Sequence, residues 1–313
     1  MASPFSLERF RGLKGLFRKP KHAFDGPRGF CLGFHSISDT PISSIGRPGV
    51  VTSPADFRSL IEEAARMAEP VSLAESRFPD AWFAVTFDDG FADNLTEALP
   101  ILEELGIPAT VSPTVGFIER EVIPYEVVLA RALNADPAGV SRSLSANAIN
   151  GDKIAAYEAI RKEYKFRSWK DRAELVANLG LDDRARQSVF DLYLTKAQLK
   201  ELSQHPRITI GSHGMSHICM SCVPAEVARV EMEHSKQYIE DLTRVPCEIF
   251  VLPYGDPVNS RNSCVKRAGY RRVVTTKPAL NLGSTPSTID RFLCDGLSVL
   301  GCDWNTMVDT ARR

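Results

Sequence analysis

Three apolar runs in this chain each stop at a polar cluster, and that recurrence constrains the fold more than any other feature. Trp82-Phe83-Ala84-Val85-Thr86-Phe87 stops at Asp88-Asp89-Gly90. Arg207-Ile208-Thr209-Ile210 leads into Ser212-His213-Gly214-Met215-Ser216-His217, and Glu248-Ile249-Phe250-Val251-Leu252 into Pro253-Tyr254-Gly255-Asp256. Short runs rich in β-branched and aromatic residues, bounded by turn formers, read as buried strands. Helical stretches separate them, and strands alternating with helices predict an α/β protein whose strands are mostly parallel. In a parallel barrel the C-terminal strand ends share one face, where active sites assemble. Three polar turns at three such ends therefore predict one site.

The remaining elements fit that frame. Gly29 to Phe34 reads as a strand ending at His35, Ala109 to Val115 as another, and Arg271 to Thr275 as a third. Ser53-Pro54-Ala55-Asp56 opens a helix, with Ser53 as N-cap, Pro54 in the first turn and Asp56 completing a capping box. Leu95, Leu99, Leu102 and Leu105 mark a helical stretch ended by Gly106; Pro100 inside it requires a kink or a helix start nearby. A long helix is expected from about 224 to 242, with Val227, Val230, Tyr238 and Leu242 on its packed side. From about 118 to 206 the chain is rich in Ala, Glu, Lys and Arg and reads as a helical insertion, in which no residue has an evident chemical role.

The bulk character narrows the classes of function. With 43% hydrophobic residues in 313 the chain can bury a substantial core, which excludes a largely disordered protein. Its net charge of −1, from 38 basic and 39 acidic residues, gives no global field to recruit nucleic acid. Nowhere does it approach the ~20 continuous apolar residues of a membrane-spanning helix. Seven scattered cysteines do not make a disulfide framework, and the N-terminus lacks the apolar core of a secretory signal; the expected location is the cytoplasm. Residues 1–27 form a tail and linker. Within 5–21, Arg9, Arg11, Lys14, Arg18 and Lys19 alternate with Phe10, Leu13 and Phe17. Such a segment suits peripheral contact with an anionic membrane surface, at the inner face; a solvated tail is the plainer alternative.

The chemistry lies in the polar clusters. His213 and His217, four apart, can share a metal, although Gly214 stands where a zincin helix needs its Glu. Packed histidines explain such a pair equally well. Asp88 and Asp89 are adjacent carboxylates that repel each other unless something uses them, while a simple turn also accounts for Asp-Asp-Gly. Two histidines and one carboxylate would leave a coordination position for water. Cys219 and Cys222 offer two rivals, a closed zinc site with the histidines or a redox pair, beside the plainer reading as packed thiols.

Taken together, Thr86-Phe87-Asp88-Asp89-Gly90, the Ser212–His217 cluster and Phe250-Val251-Leu252-Pro253-Tyr254-Gly255 resemble the three motifs of the polysaccharide deacetylases, the NodB-homology or carbohydrate esterase family four enzymes. The resemblance covers about residues 29–117 and 207–295. It implies a distorted (β/α)7 barrel spanning 28–313, interrupted by the insertion at about 118–206. By position it implies Asp88 as catalytic base, Asp89, His213 and His217 as ligands of one divalent metal, and Pro253 and Tyr254 at the oxyanion wall through the Tyr254 N–H. Zinc is the first expectation for the metal, with cobalt, nickel or manganese as alternatives. Two departures stand out. The third motif lacks the Arg that pairs with the base, for which Arg291 is a candidate, and no histidine after His234 can supply the Leu-x-His acid. In a rearranged branch acting on poly-N-acetylglucosamine, a histidine after the first strand does that work, and His35 stands at the matching place. The implied activity is metal-dependent removal of an N-acetyl group from an N-acetylated glycan. Alternatives are a deformylase or deacetylase of a lipid-linked sugar, or a glycan-binding protein without activity.

Overall fold

The computed structural model describes residues 27–40, 50–143, 152–255 and 262–295. The basic segment at 5–21 and the residue Asp256 lie outside them. Six principal strands follow the expected runs: β1 (Arg28–Phe34), β2 (Ala81–Asp89), β3 (Ala109–Pro113), β4 (Ile208–Ile210), β5 (Ile249–Val251) and β6 (Arg272–Val274). β1 through β4 pair in parallel, in chain order. β5 pairs in parallel with β6, and β6 with the short strand Thr288–Ile289.

Two links join these sheets into a distorted NodB-like barrel. On one side Ser212, just past β4, bridges Phe250 of β5: its N–H donates to the Ile249 carbonyl (2.9 Å) and its carbonyl accepts from Val251 (2.8 Å). On the other, Phe292–Leu293 pairs in parallel with β1, so the ring passes from Ile289 to Phe292 through the chain itself, not through a strand pair. Arg291 lies in this closing segment.

Period-two alternation sets the two faces of the wall. Phe30, Leu32 and Phe34 of β1 and Phe83, Val85 and Phe87 of β2 pack with Phe57, Leu60 and Ile61 of the helix Pro54–Ala65 in the main core. Cys31, Trp82 and Ala84 face the other way and meet Ile249, Val251, Val274 and Ile289 inside the ring. Gly33 has no side chain where the Arg291 stem passes; a Cβ there would lie 3.1 Å from Arg291 Cδ and 2.9 Å from Leu293.

Local differences from expectation have physical causes. Ser53 accepts from the Asp56 N–H (3.0 Å) as a cap should, but the reciprocal Asp56 carboxylate takes the Ser53 hydroxyl (2.7 Å). Pro100 starts a helix: Leu99–Leu105 carries it in the first turn, after a wide turn at Asn94–Ala98. β3 stops at Pro113, and Val115 begins a short helix, Val115–Ile118. The long helix runs from Ala225 to Thr243, but its buried stripe is Ala228, Met232, Ser235, Ile239 and Thr243, with Val227 exposed. Ser235 and Thr243 tolerate burial because their hydroxyls donate to the Met232 (3.1 Å) and Ile239 (2.7 Å) carbonyls one turn back. Between β3 and β4 the chain forms helices, the longer ones Tyr125–Ala135, Lys153–Tyr164 and Trp169–Asn178.

Candidate active site

The inward column of β2 becomes polar toward its C-terminal end, passing from Trp82 and Ala84 to Thr86 and Asp88. Asp88 is almost fully buried. Arg291, itself buried, holds both its oxygens: Nη1 donates to Oδ1 at 2.7 Å and Nη2 to Oδ2. The rest of the guanidinium is fixed by the Thr275 carbonyl (2.9 Å) and the Thr86 hydroxyl (2.9 Å). Burial alone would push the Asp88 carboxyl up, but Arg291 outweighs it, with help from His213 and His35, and holds it well below the usual carboxylate range.

Asp89 leaves the strand with φ 67°, which turns it away from Asp88 toward the histidine loop. Its Oδ1 lies 3.6 Å from His213 Nε2 and 3.4 Å from His217 Nε2. The three ligand atoms fall within 4.8 Å of one another, and Asp89 Oδ1 is buried without a hydrogen-bond partner. An unsatisfied buried carboxylate oxygen facing two imidazole nitrogens fits a divalent metal. His213 Nδ1 donates to the Val251 carbonyl (2.8 Å), which leaves Nε2 as the atom offered to a ligand. Burial pulls the His213 imidazole down to about 4 and His217 well below its ordinary value, so both are neutral, as ligands must be. Burial, with the Asp88 charge adding to it, pushes Asp89 up to about 7 although His35 opposes the shift; two carboxylates this close resist joint ionisation without a cation.

Glu231, from the helix Ala225–Thr243, shapes the histidine loop. It accepts from the Met215 (2.9 Å) and Ser216 (3.0 Å) N–H groups and from the Ser216 hydroxyl (2.6 Å). The rival zinc site does not assemble: among the described residues the ligand cluster contains neither Cys219 nor Cys222, whose sulfurs lie 2.9 Å from each other.

His35 reaches the site from the end of β1. Its Nε2 is 3.9 Å from Asp88 Oδ2, and its Nδ1 donates to Asp295 Oδ2 at 2.5 Å. Asp295 also accepts from the His35 backbone N–H (3.0 Å), while Asn94 donates to the His35 carbonyl (2.8 Å). Burial opposes protonation of His35, but the carboxylates of Asp295, Asp88 and Asp89 overcome it and raise the imidazole to about 9. Sequence reasoning missed Asp295, although its signal was present. Leu293-Cys294-Asp295 has the form of the sought Leu-x-His triplet with an acid in the last place.

Tyr254 follows β5 with φ 62°, its ring edge-on to His217 at 4.6 Å between centroids, and Pro253 before it is buried. Gly255 is required here, since a Cβ would fall 1.5 Å from Thr276 Oγ1. Five non-glycine residues have left-handed backbone among those described, and Asp89, His217 (φ 52°) and Tyr254 are three of them. Each costs about 1–3 kcal/mol, a strain that concentrates at functional sites.

The helical stretch between β3 and β4 is not inert. Arg172 donates to the carbonyls of His217 (2.6 Å), Tyr164 (3.0 Å) and Lys165 (2.7 Å), and its guanidinium lies 5.4 Å over the Tyr254 ring. One arginine thus ties these helices to the histidine loop and to the Pro253-Tyr254 turn.

A family model described as polysaccharide deacetylase matches residues 76–273. The poly-β-1,6-N-acetyl-D-glucosamine N-deacetylase of Escherichia coli K12 is 20% identical over 240 residues. That match covers 72% of this chain but only 30% of the relative. Among solved structures, the Streptococcus pyogenes deacetylase PplD in complex with acetate superposes with a TM-score of 0.57 at 15% identity, covering 91% of this chain and 99% of that one. IcaB from Ammonifex degensii gives 0.57 at 15%, covering 92% and 98%. At such identities the structural likeness concerns the fold.

Proposed function

The chain belongs to the polysaccharide deacetylase family, and from that premise we propose that it hydrolyses the N-acetyl group of an N-acetylated glycan, releasing acetate and a free amine. Asp89, His213 and His217 would hold one divalent metal, zinc first among the ions such ligands accept. When bound, that ion supplies a polarising charge for the amide carbonyl and for a water beside it.

The chain's own residues account for the proton transfers. Arg291 keeps Asp88 ionised and fixes both its oxygens, so Asp88 is oriented to take the proton of the attacking water. The Tyr254 N–H, at the wall made with Pro253, stabilises the oxyanion as the carbonyl becomes tetrahedral. His35, held protonated by Asp295, gives its proton to the sugar nitrogen as the C–N bond breaks, without which an amine leaves poorly. Acetate leaves with the oxygen of water, and the amine keeps the proton from His35.

The observation that carries this reading is the position of Asp88. It lies 3.9 Å from the His35 acid on one side and 3.9 Å from the ligand His213 on the other. The two departures in the sequence motivate a binder without activity as the competing reading; the pairing of Arg291 with Asp88 and of Asp295 with His35 supports the enzyme. The relative's name motivates poly-β-1,6-N-acetylglucosamine as the first substrate to try. The test is acetate release from N-acetylglucosamine oligomers by the metal-loaded protein, with metal content measured alongside. Release that chelation abolishes and added zinc restores supports the reading; bound metal with no release from any oligomer overturns it in favour of the binder.

A further inference from the structure

Neither the candidate metal site nor the proton transfers use Cys219 and Cys222. Both are thiols, and their sulfurs lie 2.9 Å apart. Closing that contact to the ~2.05 Å of a disulfide takes a movement of under about 1 Å. A short 3₁₀ turn, Met220–Cys222, sets the pair. The Cys222 N–H donates to the Cys219 carbonyl (3.0 Å), and such a turn brings side chains three apart onto one side. The two thiols differ in access: Cys219 is 2% exposed, whereas Cys222 is open to solvent. An accessible thiol beside a shielded one is the arrangement of a reacting and a resolving cysteine. The other described cysteines, Cys31, Cys247, Cys264 and Cys294, are buried. Burial pushes the Cys31 and Cys247 thiols up to about 12, so both stay protonated and inert. The turn also packs against the histidine loop. Met220, between the two cysteines, is fully buried, and a Cβ on Gly214 would lie 3.2 Å from its Cε. Glu231 and Arg172 hold that loop at Met215, Ser216 and the His217 carbonyl, and Cys219 stands two residues further on, at its exit.

We propose that Cys219 and Cys222 form a reversible disulfide that latches the exit of the histidine loop, with a low-molecular-weight disulfide as oxidant. The exposed Cys222 sulfur attacks one sulfur of that oxidant; its S–S bond breaks, one small thiol leaves, and a mixed disulfide remains on Cys222. Cys219 then attacks the Cys222 sulfur and expels the second small thiol. Two electrons pass from the protein thiols to the oxidant, and their two protons end on the two small thiols released. A dithiol reductant reverses the sequence. The bond itself is independent of the deacetylase reading, whereas its effect on ligation rests on the metal which that reading assigns to Asp89, His213 and His217. With the exit closed, His217 has fewer ways to swing off the ion, so the oxidised protein gives up metal more slowly.

The experiment incubates the zinc-loaded full chain with glutathione disulfide, alkylates the remaining thiols after denaturation and cuts the protein with trypsin. One peptide, 208–229, contains both cysteines and no other. Its mass is expected to be that of the unalkylated peptide less two hydrogens, whereas in Cys219→Ser the same peptide stops with glutathione on Cys222. In parallel, zinc loss to a chelator is expected to be several-fold slower from the oxidised protein, with dithiothreitol restoring the original rate and Cys222→Ser insensitive to the oxidant. Alkylation at both cysteines, or a mixed disulfide that persists in the wild type, overturns the disulfide. A disulfide that leaves the rate of zinc loss unchanged overturns the latch. A peptide that closes in a protein holding no zinc in either state keeps the disulfide and overturns the metal reading, and the latch with it.

Discussion

Inside the barrel, two zones built on the same strands obey different rules. In one, Cys31, Trp82, Ala84, Ile249, Val251, Val274 and Ile289 pack on one another with no charge among them. In the other, Thr86, Asp88, His213 and Arg291 are equally buried and Asp89 is partly so, and the charges of Asp88 and Arg291 depend on each other. The apolar zone is stabilised by area removed from water and degrades gradually as methylenes are removed. The polar zone carries the desolvation of several ionisable groups and the strain at Asp89, and it holds only while its pairs are complete. Function therefore sits where the fold is least forgiving, on a base that is most forgiving.

The sharpest way to break this contrast is Asp88→Asn, which keeps the shape and removes the proposed base. Turnover should fall about 10²–10⁴-fold while bound metal persists, whereas His213→Ala loses both metal and turnover. Near-normal acetate release by Asp88→Asn would show that the polar zone's charge is structural. Next comes Arg291→Leu, which strands the Asp88 carboxylate. Urea unfolding should show a loss of about 3–5 kcal/mol, the cost of breaking a buried pair; a loss below about 1 kcal/mol would mean that water reaches Asp88 and the zone is not truly buried.

Asp295→Asn addresses the His35 pair. As the proposed acid, His35 works while protonated, so the alkaline limb of kcat/KM is expected to fall as pH rises through about 9. Without the Asp295 charge that limb should move toward the ordinary imidazole value of about 6.5 or below. The stability linkage has the same sign. Because folding raises the His35 value, the pair contributes fully below about 6.5 and its contribution is lost as pH climbs through about 9. Asp295→Asn should flatten that part of the stability profile, measured by melting temperature across pH 6–10. An alkaline limb that stays in place would remove His35 from the acid role. The smallest effect is expected from Ile249→Val in the apolar zone, about 0.5–1.5 kcal/mol with acetate release intact. A large loss of activity there would show that the two zones are coupled.

The sequence made the apolar zone and the strand ends legible because both depend on local pattern. A short continuous apolar run marks Ala81–Asp89, and the polar stop at Asp88-Asp89-Gly90 is visible without any knowledge of neighbours. What stayed hidden depends on pairing across the chain. Arg291 could be offered only as a candidate for Asp88 because 203 residues separate them. Asp295 stayed hidden because an acid, not a histidine, fills the last place of its triplet. Arg172 is an ordinary helix residue until the fold brings it under the His217 carbonyl. The Ala225–Thr243 face was misread for a different reason. Counting apolar residues favoured Val227, while the packed stripe uses Ser235 and Thr243, whose hydroxyls bond back to their own helix. The two-residue strands, such as Ser36–Ile37 and Thr288–Ile289, are too short to carry a period at all.

The ring closes through the segment that carries Arg291, and Asp295 follows directly after it. Arg291 therefore comes 203 residues after Asp88, and Asp295 comes 260 residues after His35. In a growing chain, β1 to β4, Asp89 and both histidines are all synthesised well before either partner. Until Phe292–Leu293 docks on β1, Asp88 lacks the Arg291 guanidinium and His35 lacks the Asp295 carboxylate. On the proposed mechanism, catalytic competence belongs to the final step of assembly, and a chain ending before Arg291 is expected to hold metal without turning over substrate.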